Sequence, residues 1–342
     1  MVHMQRWTLI GVLLLSLSLV GCQGTVNTGV AASPALLGES APLTITATVA
    51  PTSTPTPVPS PTATPTSAST PAPFVCTNQR GQTLNAAFIS TAMGGEEIRY
   101  LVHLPACYDA YPDRAFPVLY LLHGWPLNEY HWVSLGVTEI VDEWASQGLI
   151  GPLILVMPGV VNPDGLYVYS SGGSDSFEGM LVEELRPAIE HAYRTIRQPT
   201  GRAIGGISRG GVWSLEIGLR HPDLFGIVGG HSPALSVNRP FPAYDPFVLA
   251  EEGAPNQRVY LDAGDLDWAR GGAMQLQEAL LAKGADVTYQ VHEGGHVDEL
   301  WQLGLPDYLN FYTSTWPDSF DALPQYVENP EELWLEAPSD RS

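Results

Sequence analysis

The sequence predicts an α/β protein built on a doubly wound, mostly parallel sheet with helices on both faces. Three observations predict it. Apolar runs without polar alternation, Phe116 to Leu122 and Leu153 to Met157, suit parallel strands that are covered on both faces. Amphipathic stretches of helical period alternate with such runs between about residues 97 and 313. At one junction of the two patterns a serine stands among glycines, in Gly205-Gly206-Ile207-Ser208-Arg209-Gly210-Gly211. That is the G-x-S-x-G layout of a nucleophile elbow, a sharp strand-to-helix turn that lifts a hydroxyl above the C-terminal edge of a sheet.

The first residues read as an export signal. Arg6 precedes an apolar run from Trp7 to Val20 that is too short to span a bilayer, so residues 1–21 read as a signal peptide. The run ends Leu19-Val20-Gly21-Cys22, which resembles the lipobox of bacterial lipoproteins. The resemblance implies cleavage before Cys22 and lipid attachment to it. Several acyl chains on one residue anchor a protein stably, where a single chain binds only marginally. The expected location is the outer side of the cell membrane.

Residues 22–73 carry Glu39 as their one charge and become Thr, Pro, Ser and Ala repeats from Ala41 onward. Such a segment has no apolar content with which to build a core. Its prolines favour an extended chain, and thirty-odd residues reach on the order of 100 Å. It is expected to be a stalk that carries no chemistry.

Residues 74–317 are long enough for one substantial domain. The strand series is Glu97 to Leu104, Phe116 to Leu122, Leu153 to Met157, Arg202 to Ile204, Phe225 to Val228, Arg258 to Leu261 and Val287 to Val291. Helices are expected at about 132–147, 177–195, 211–220, 271–283 and 298–313. The tail, residues 318–342, is acidic and broken by proline, and is expected to pack loosely.

Charge and cysteines narrow the partners. The formal net charge is −21, and Arg6 and Glu39 cancel, so the domain and its tail hold all of it. A surface this acidic repels phosphate backbones and anionic headgroups, which argues against nucleic acid and leaves the lipid on Cys22 as the membrane contact. With Cys22 lipidated, Cys76 and Cys107 remain as a pair in an oxidising compartment, and a disulfide is expected between them. There is no HExxH and no CxxC, and the histidines lack ligand spacing, so no metal or cofactor is expected.

A nucleophilic serine needs a base and an acid later in the chain, in the order Ser, Asp or Glu, His. After Ser208, the strand at Val259 runs into Asp262-Ala263-Gly264-Asp265-Leu266-Asp267-Trp268. Asp262 falls within the strand or at its end. Asp265 and Asp267 fall in the loop at its C-terminal end, where ligands and reacting groups gather. The next strand ends at His292-Glu293-Gly294-Gly295-His296, which places His296 in a strand-to-helix loop beside glycines and His292 at a strand end in a structural position.

These segments together resemble the esterase family of α/β-hydrolases that includes feruloyl and acetylxylan esterases, S-formylglutathione hydrolase, enterochelin esterase and the mycobacterial mycolyltransferases. The resemblance covers about residues 97–313. It rests on Phe116 to Gly124 with Trp132 beyond, Glu183 to Glu190, the G-x-S-x-G segment with His221-Pro222-Asp223 after it, Gly264 to Asp267, and Gly294-Gly295-His296 with Trp301 beyond. It implies an α/β-hydrolase fold and a triad of Ser208, Asp267 and His296, with Asp267 rather than Asp265 as the acid. It also implies an oxyanion hole from the backbone N–H groups of Arg209 and Trp125, with His123 as a structural part of the His-Gly turn.

The expected substrate is a carboxylic ester, either a diffusing small molecule or one linked to carbohydrate, because an extracellular tether suits a polymer better than an intracellular thioester. The aromatics of 159–178 (Tyr167, Tyr169, Phe177) and of 232–255 (Phe241, Tyr244, Phe247) line the binding edge or pack long loops. Two other readings share the sequence: an acyltransferase using the same triad, and a surface-binding lipoprotein on an inactive hydrolase scaffold.

Overall fold

The computed structural model describes residues 80–159, 171–237 and 240–328. The signal, Cys22, the stalk, Cys76, Tyr167, Tyr169 and the last residues of the tail lie outside them. Cys107 is disulfide-bonded, and its partner lies outside the described residues as well.

Among the described residues, eight strands form one sheet in the order β1-β2-β4-β3-β5-β6-β7-β8. They are β1 (Gln82–Ser90), β2 (Glu96–Leu104), β3 (Val118–Leu122), β4 (Ile154–Pro158), β5 (Arg202–Ile207), β6 (Ile227–His231), β7 (Arg258–Gly264) and β8 (Asp286–His292). The pairs β1–β2 and β2–β4 are antiparallel, and every pair from β4 through β8 is parallel. Five longer helices cross between or follow these strands: α1 (Val137–Ser146), α2 (Arg186–Ala192), α3 (Arg209–Arg220), α4 (Arg270–Ala282) and α5 (Asp298–Thr313).

The apolar runs become central strands because their side chains feed two cores. In β3, Val118, Tyr120 and Leu122 enter one core while Leu119 and Leu121 enter the other, as the two-residue period of a strand requires. β4 divides the same way, Ile154 and Val156 against Leu155 and Met157. Helices α2, α3 and α4 supply Ile189, Trp213 and Leu276 to the first core; α1 and α5 supply Val141, Trp301 and Tyr308 to the second. Truncating such a fully buried side chain to alanine costs about 2–5 kcal/mol.

Three expectations differ from what forms. β1 is not among the expected strands; its burial alternates weakly on an edge strand of mixed composition, QTLNAAFIS. The helix expected at 132–147 is two pieces, His131–Ser134 and α1, parted at Gly136, whose φ is 93°. The tail is not loose at its start. Leu323 is buried, the Arg114 guanidinium donates to its carbonyl at 2.8 Å, and Tyr111 stacks on Phe320 with ring centroids 4.3 Å apart. The domain therefore runs past residue 317, because two apolar side chains hold the segment down despite the acids around them.

The topology fixes where a site can form. The chain steps from β3 outward to β4, then returns to the other side of β3 to lay down β5. Strand order reverses there, and in open α/β sheets the crevice at such a switch point holds the ligand. Leu122 of β3 pairs with Gly206 of β5, so the loop after β3 and the turn after β5 emerge side by side.

Candidate active site

Ser208 sits between β5 and α3 with φ 55° and ψ −111°. A non-glycine residue held there costs about 1–3 kcal/mol, so its surroundings must over-determine it. The Ser208 N–H donates to the His231 carbonyl at 2.8 Å, and the Ser208 carbonyl accepts from the Ala234 N–H at 3.0 Å. The flanking glycines are required by close approach. A Cβ on Gly206 would stand 2.2 Å from the Gly210 carbonyl oxygen, and one on Gly210 would stand 2.5 Å from the carbonyl oxygens of both Leu122 and His123.

His296 follows β8 and Asp267 follows β7, and the structure brings both to Ser208. His296 Nε2 lies 2.8 Å from Ser208 Oγ, and His296 Nδ1 lies 2.9 Å and 3.1 Å from the two oxygens of Asp267. An ionised carboxylate only accepts, so Nδ1 carries the proton and Nε2 is left to accept from the serine hydroxyl. The Asp267 side chain is fully buried, which by itself would raise its pKa. The hydrogen bonds from His296 Nδ1 and the Ala269 N–H, with the Ser232 hydroxyl nearby, outweigh burial and hold the carboxyl below its ordinary value.

Asp265 is elsewhere. It is exposed, and its Oδ1 accepts the Gly294 N–H at 2.9 Å, tying the acid loop to the histidine loop. Asp262 is buried within β7 itself. Its Oδ1 is 3.2 Å from His231 Nδ1, and its Oδ2 accepts from the Tyr308 hydroxyl at 2.6 Å and lies 3.3 Å from His292 Nε2. His231 Nε2 is in turn 2.9 Å from the Tyr312 hydroxyl. This buried network clamps the ends of β6, β7 and β8 to α5 directly beneath the site. Burial would raise the Asp262 carboxyl, but its bonds to His231, His292 and Tyr308 hold it below the ordinary value; the bond to Asp262 raises His292.

The loop after β3 is held at both peptide units around Gly124. The Gly124 N–H donates to His131 Nδ1 at 3.1 Å. The Gly124 carbonyl accepts from His123 Nδ1–H at 2.9 Å and from the Leu127 N–H at 2.9 Å. The peptide is planar and trans, so fixing that carbonyl fixes the direction of the Trp125 N–H on the same unit. Burial pushes the His123 imidazole down to about 4, which keeps it neutral. Arg209 supplies the first backbone N–H of α3, one residue after Ser208. Burial lowers its guanidinium pKa.

Trp268 and Trp301 enclose the His296 ring, the first tilted at 37° with centroids 4.3 Å apart and the second edge-on at 5.1 Å. Trp268 is half exposed, whereas Trp301 is buried. The aromatics expected to line a pocket divide. Phe177 is fully buried against Trp213, Tyr244 lies under the Arg220 guanidinium at 4.4 Å, Phe247 packs on the core, and Phe241 is exposed.

Sequence reasoning missed His131, Trp268 and the pairing of Asp262 with His231, Tyr308 and the structurally placed His292. The one available signal was Asp262 itself, a carboxylate inside an otherwise apolar buried strand, which needs partners to be there.

Comparison with known proteins gives a consistent picture. The model of the family described as "Putative esterase" matches residues 90–312. An endo-1,4-beta-xylanase/feruloyl esterase of Xylanibacter ruminicola is 36% identical over 119 residues, which are 34% of this chain and 16% of that protein. The ferri-bacillibactin esterase BesA of Bacillus subtilis is 32% identical over 108 residues, 31% of this chain and 37% of that one. The match thus spans well under two thirds of either relative. Among solved structures, a ferulic acid esterase superposes with a TM-score of 0.61 at 24% identity, covering 69% of this chain and all (100%) of that one. An S-formylglutathione hydrolase of Staphylococcus aureus gives 0.57 at 16% identity, covering 68% and 99%. These structures share the α/β-hydrolase fold.

Proposed function

The chain belongs to the esterase family matched above, and from that premise we propose that it is a serine esterase that cleaves carboxylic esters through an acyl-enzyme on Ser208. The observation that carries this reading is the 2.8 Å approach of His296 Nε2 to Ser208 Oγ, with Nδ1 of the same ring on Asp267.

In the first half-reaction Ser208 Oγ attacks the ester carbonyl carbon as its proton passes to His296 Nε2. The carbonyl π pair moves onto oxygen, which faces the N–H groups of Arg209 and Trp125; each such donor is worth about 3 kcal/mol of barrier. Collapse re-forms the carbonyl and expels the alcohol oxygen, which takes the proton from His296. Water then repeats the sequence, losing a proton to His296 as it attacks. The acid leaves, and Ser208 regains its proton. Asp267 keeps the imidazole in the Nδ1–H tautomer and stabilises the imidazolium without taking its proton.

The substrate class we propose is an ester linked to carbohydrate, with the enzyme exported and held to the cell membrane by lipid on Cys22 at the end of the 22–73 stalk. Support comes from the signal-like residues 1–21, the Leu19-Val20-Gly21-Cys22 sequence and the similarity to a xylanase/feruloyl esterase. The test is hydrolysis of p-nitrophenyl acetate, methyl ferulate and acetylated or feruloylated sugars by the full chain, beside Ser208→Ala. Turnover that Ser208→Ala abolishes supports the esterase, and undiminished turnover in that variant rejects it. For the anchor, Cys22→Ala should move the protein out of the membrane fraction; no redistribution would reject lipidation.

A further inference from the structure

We propose that His131 is a positioning residue for the oxyanion loop, and that the loop holds its geometry only while that imidazole is neutral. This rests on the esterase reading above.

The tautomer follows from the partners. A backbone N–H can only donate, so His131 Nδ1, 3.1 Å from the Gly124 nitrogen, must be an unprotonated acceptor. The ring proton is then on Nε2, which points at Asp298 Oδ1, 3.2 Å away. The chain Asp298 to His131 to Gly124 therefore runs in one direction, each hydrogen bond requiring the other's proton placement.

Its target is the hinge of the loop. Gly124 separates two peptide planes. His123 and Leu127 pin the later plane, which carries the Trp125 N–H, and His131 pins the earlier one. Removing the His131 acceptor frees the earlier plane and leaves the direction of the Trp125 N–H to the His123 and Leu127 contacts alone, so that it is held less tightly. The other end of the relay lies beside the base: Asp298 is two residues after His296. The Trp301 ring also meets both imidazoles edge-on, at 5.9 Å for His131 and 5.1 Å for His296.

Protonation of His131 would set an N–H against the Gly124 N–H, donor against donor. The groups that bear on that equilibrium are few. Asp298 at the start of α5 favours the charged form, the neutral His123 at the end of β3 stands on the other side of the Gly124 peptide, and Glu129 lies on the same loop. Burial outweighs Asp298, so His131 charges below its ordinary pH. Hydrolysis thus requires two neutral imidazoles, His296 as base and His131 as acceptor. The acid limb of kcat should steepen from one proton to two as pH falls through the His131 transition.

The experiment measures kcat and KM of the full chain for p-nitrophenyl acetate from about pH 4 to 8, with folding followed by circular dichroism at each pH. The variants are His131→Ala and His131→Asn, the latter placing an amide oxygen near the Nδ1 position with no charge to gain. His131→Ala should lower kcat by about 10- to 100-fold with KM changed by less than about threefold, since the oxyanion forms only in the transition state. His131→Asn should recover part of that loss and show a one-proton limb. A two-proton limb persisting in His131→Asn, or wild-type kcat in His131→Ala, overturns the proposal. Should His131→Ala fail to fold, the limb of His131→Asn decides. Turnover that Ser208→Ala leaves undiminished would reject the esterase reading, and this proposal would fall with it.

Discussion

Gly206 and Gly210 meet across the elbow so closely that a single methyl on the first would lie 2.2 Å from the carbonyl oxygen of the second. The contact explains why the residues either side of Ser208 are what they are. Strand β5 and helix α3 can turn this sharply only if neither flank carries a side chain, and the turn is what holds Ser208 at φ 55°. Gly206→Ala is expected to lose about 1–3 kcal/mol of stability through overpacking. Because the backbone must shift at the serine itself, esterase activity should fall further than the melting temperature suggests. Thermal melts and kcat measured on the same preparation check both.

The two loop aspartates should separate cleanly. Asp267→Asn keeps the shape of the side chain but reverses the hydrogen bond to His296 Nδ1, trapping the wrong tautomer; a loss of about 10³- to 10⁴-fold in kcat is expected. Asp265→Asn can still accept the Gly294 N–H through its amide oxygen, so its kcat should stay within about tenfold. Steady-state kinetics on an activated ester distinguishes them, and equal losses would count against Asp267 as the acid.

Asp262 makes a prediction about stability. Its folded-state pKa is depressed by His231, His292 and Tyr308 against the opposing effect of burial. Its contribution is therefore fully present above the ordinary carboxyl range, about pH 4, and is lost as pH falls below that toward the folded value. Breaking a buried charged pair by removing one partner costs about 3–5 kcal/mol. Asp262→Asn should be destabilised by that order near neutrality, and its deficit relative to wild type should shrink in acid. Urea unfolding at several pH values measures it.

Trp268 stacks on the imidazole that must become an imidazolium. An indole face near a cation contributes roughly 0.5–2 kcal/mol. Trp268→Ala should therefore lower kcat by about 2- to 30-fold, while Trp268→Phe recovers part of the loss. Rate profiles of the two variants test it, and identical kcat in all three proteins would show that the ring contact has no catalytic consequence.

Much of this architecture was legible in the sequence, for reasons that particular residues make clear. The strands of the parallel sheet announce themselves because Val118 to Leu122 and Ile154 to Met157 are apolar on both faces, a pattern few other environments need. Ser208 and His296 stand out because each follows a strand at the same sheet edge in a fixed chain order, whereas Asp267 is separated from Asp265 in the sequence only by the family resemblance. β1 stayed hidden because an edge strand needs little apolar alternation and the composition of Gln82–Ser90 supplies little. His131 was invisible for a different reason. Its role comes from a backbone N–H seven residues earlier and a carboxylate 167 residues later, and no local pattern encodes either partner. The Asp262 network is of the same kind, assembled from β6, β7, β8 and α5 only after the sheet has formed.

Ser208 is proposed as a nucleophile activated by His296. That role is tested most directly by treating the full chain with an alkyl phosphonofluoridate, which a serine oxygen attacks with loss of fluoride, and mapping the adduct by peptide mass spectrometry. A single phosphonyl group is expected on Ser208, absent in Ser208→Ala and formed much more slowly in His296→Ala. A label on another residue, or labelling of Ser208 that His296→Ala leaves undiminished, would contradict it.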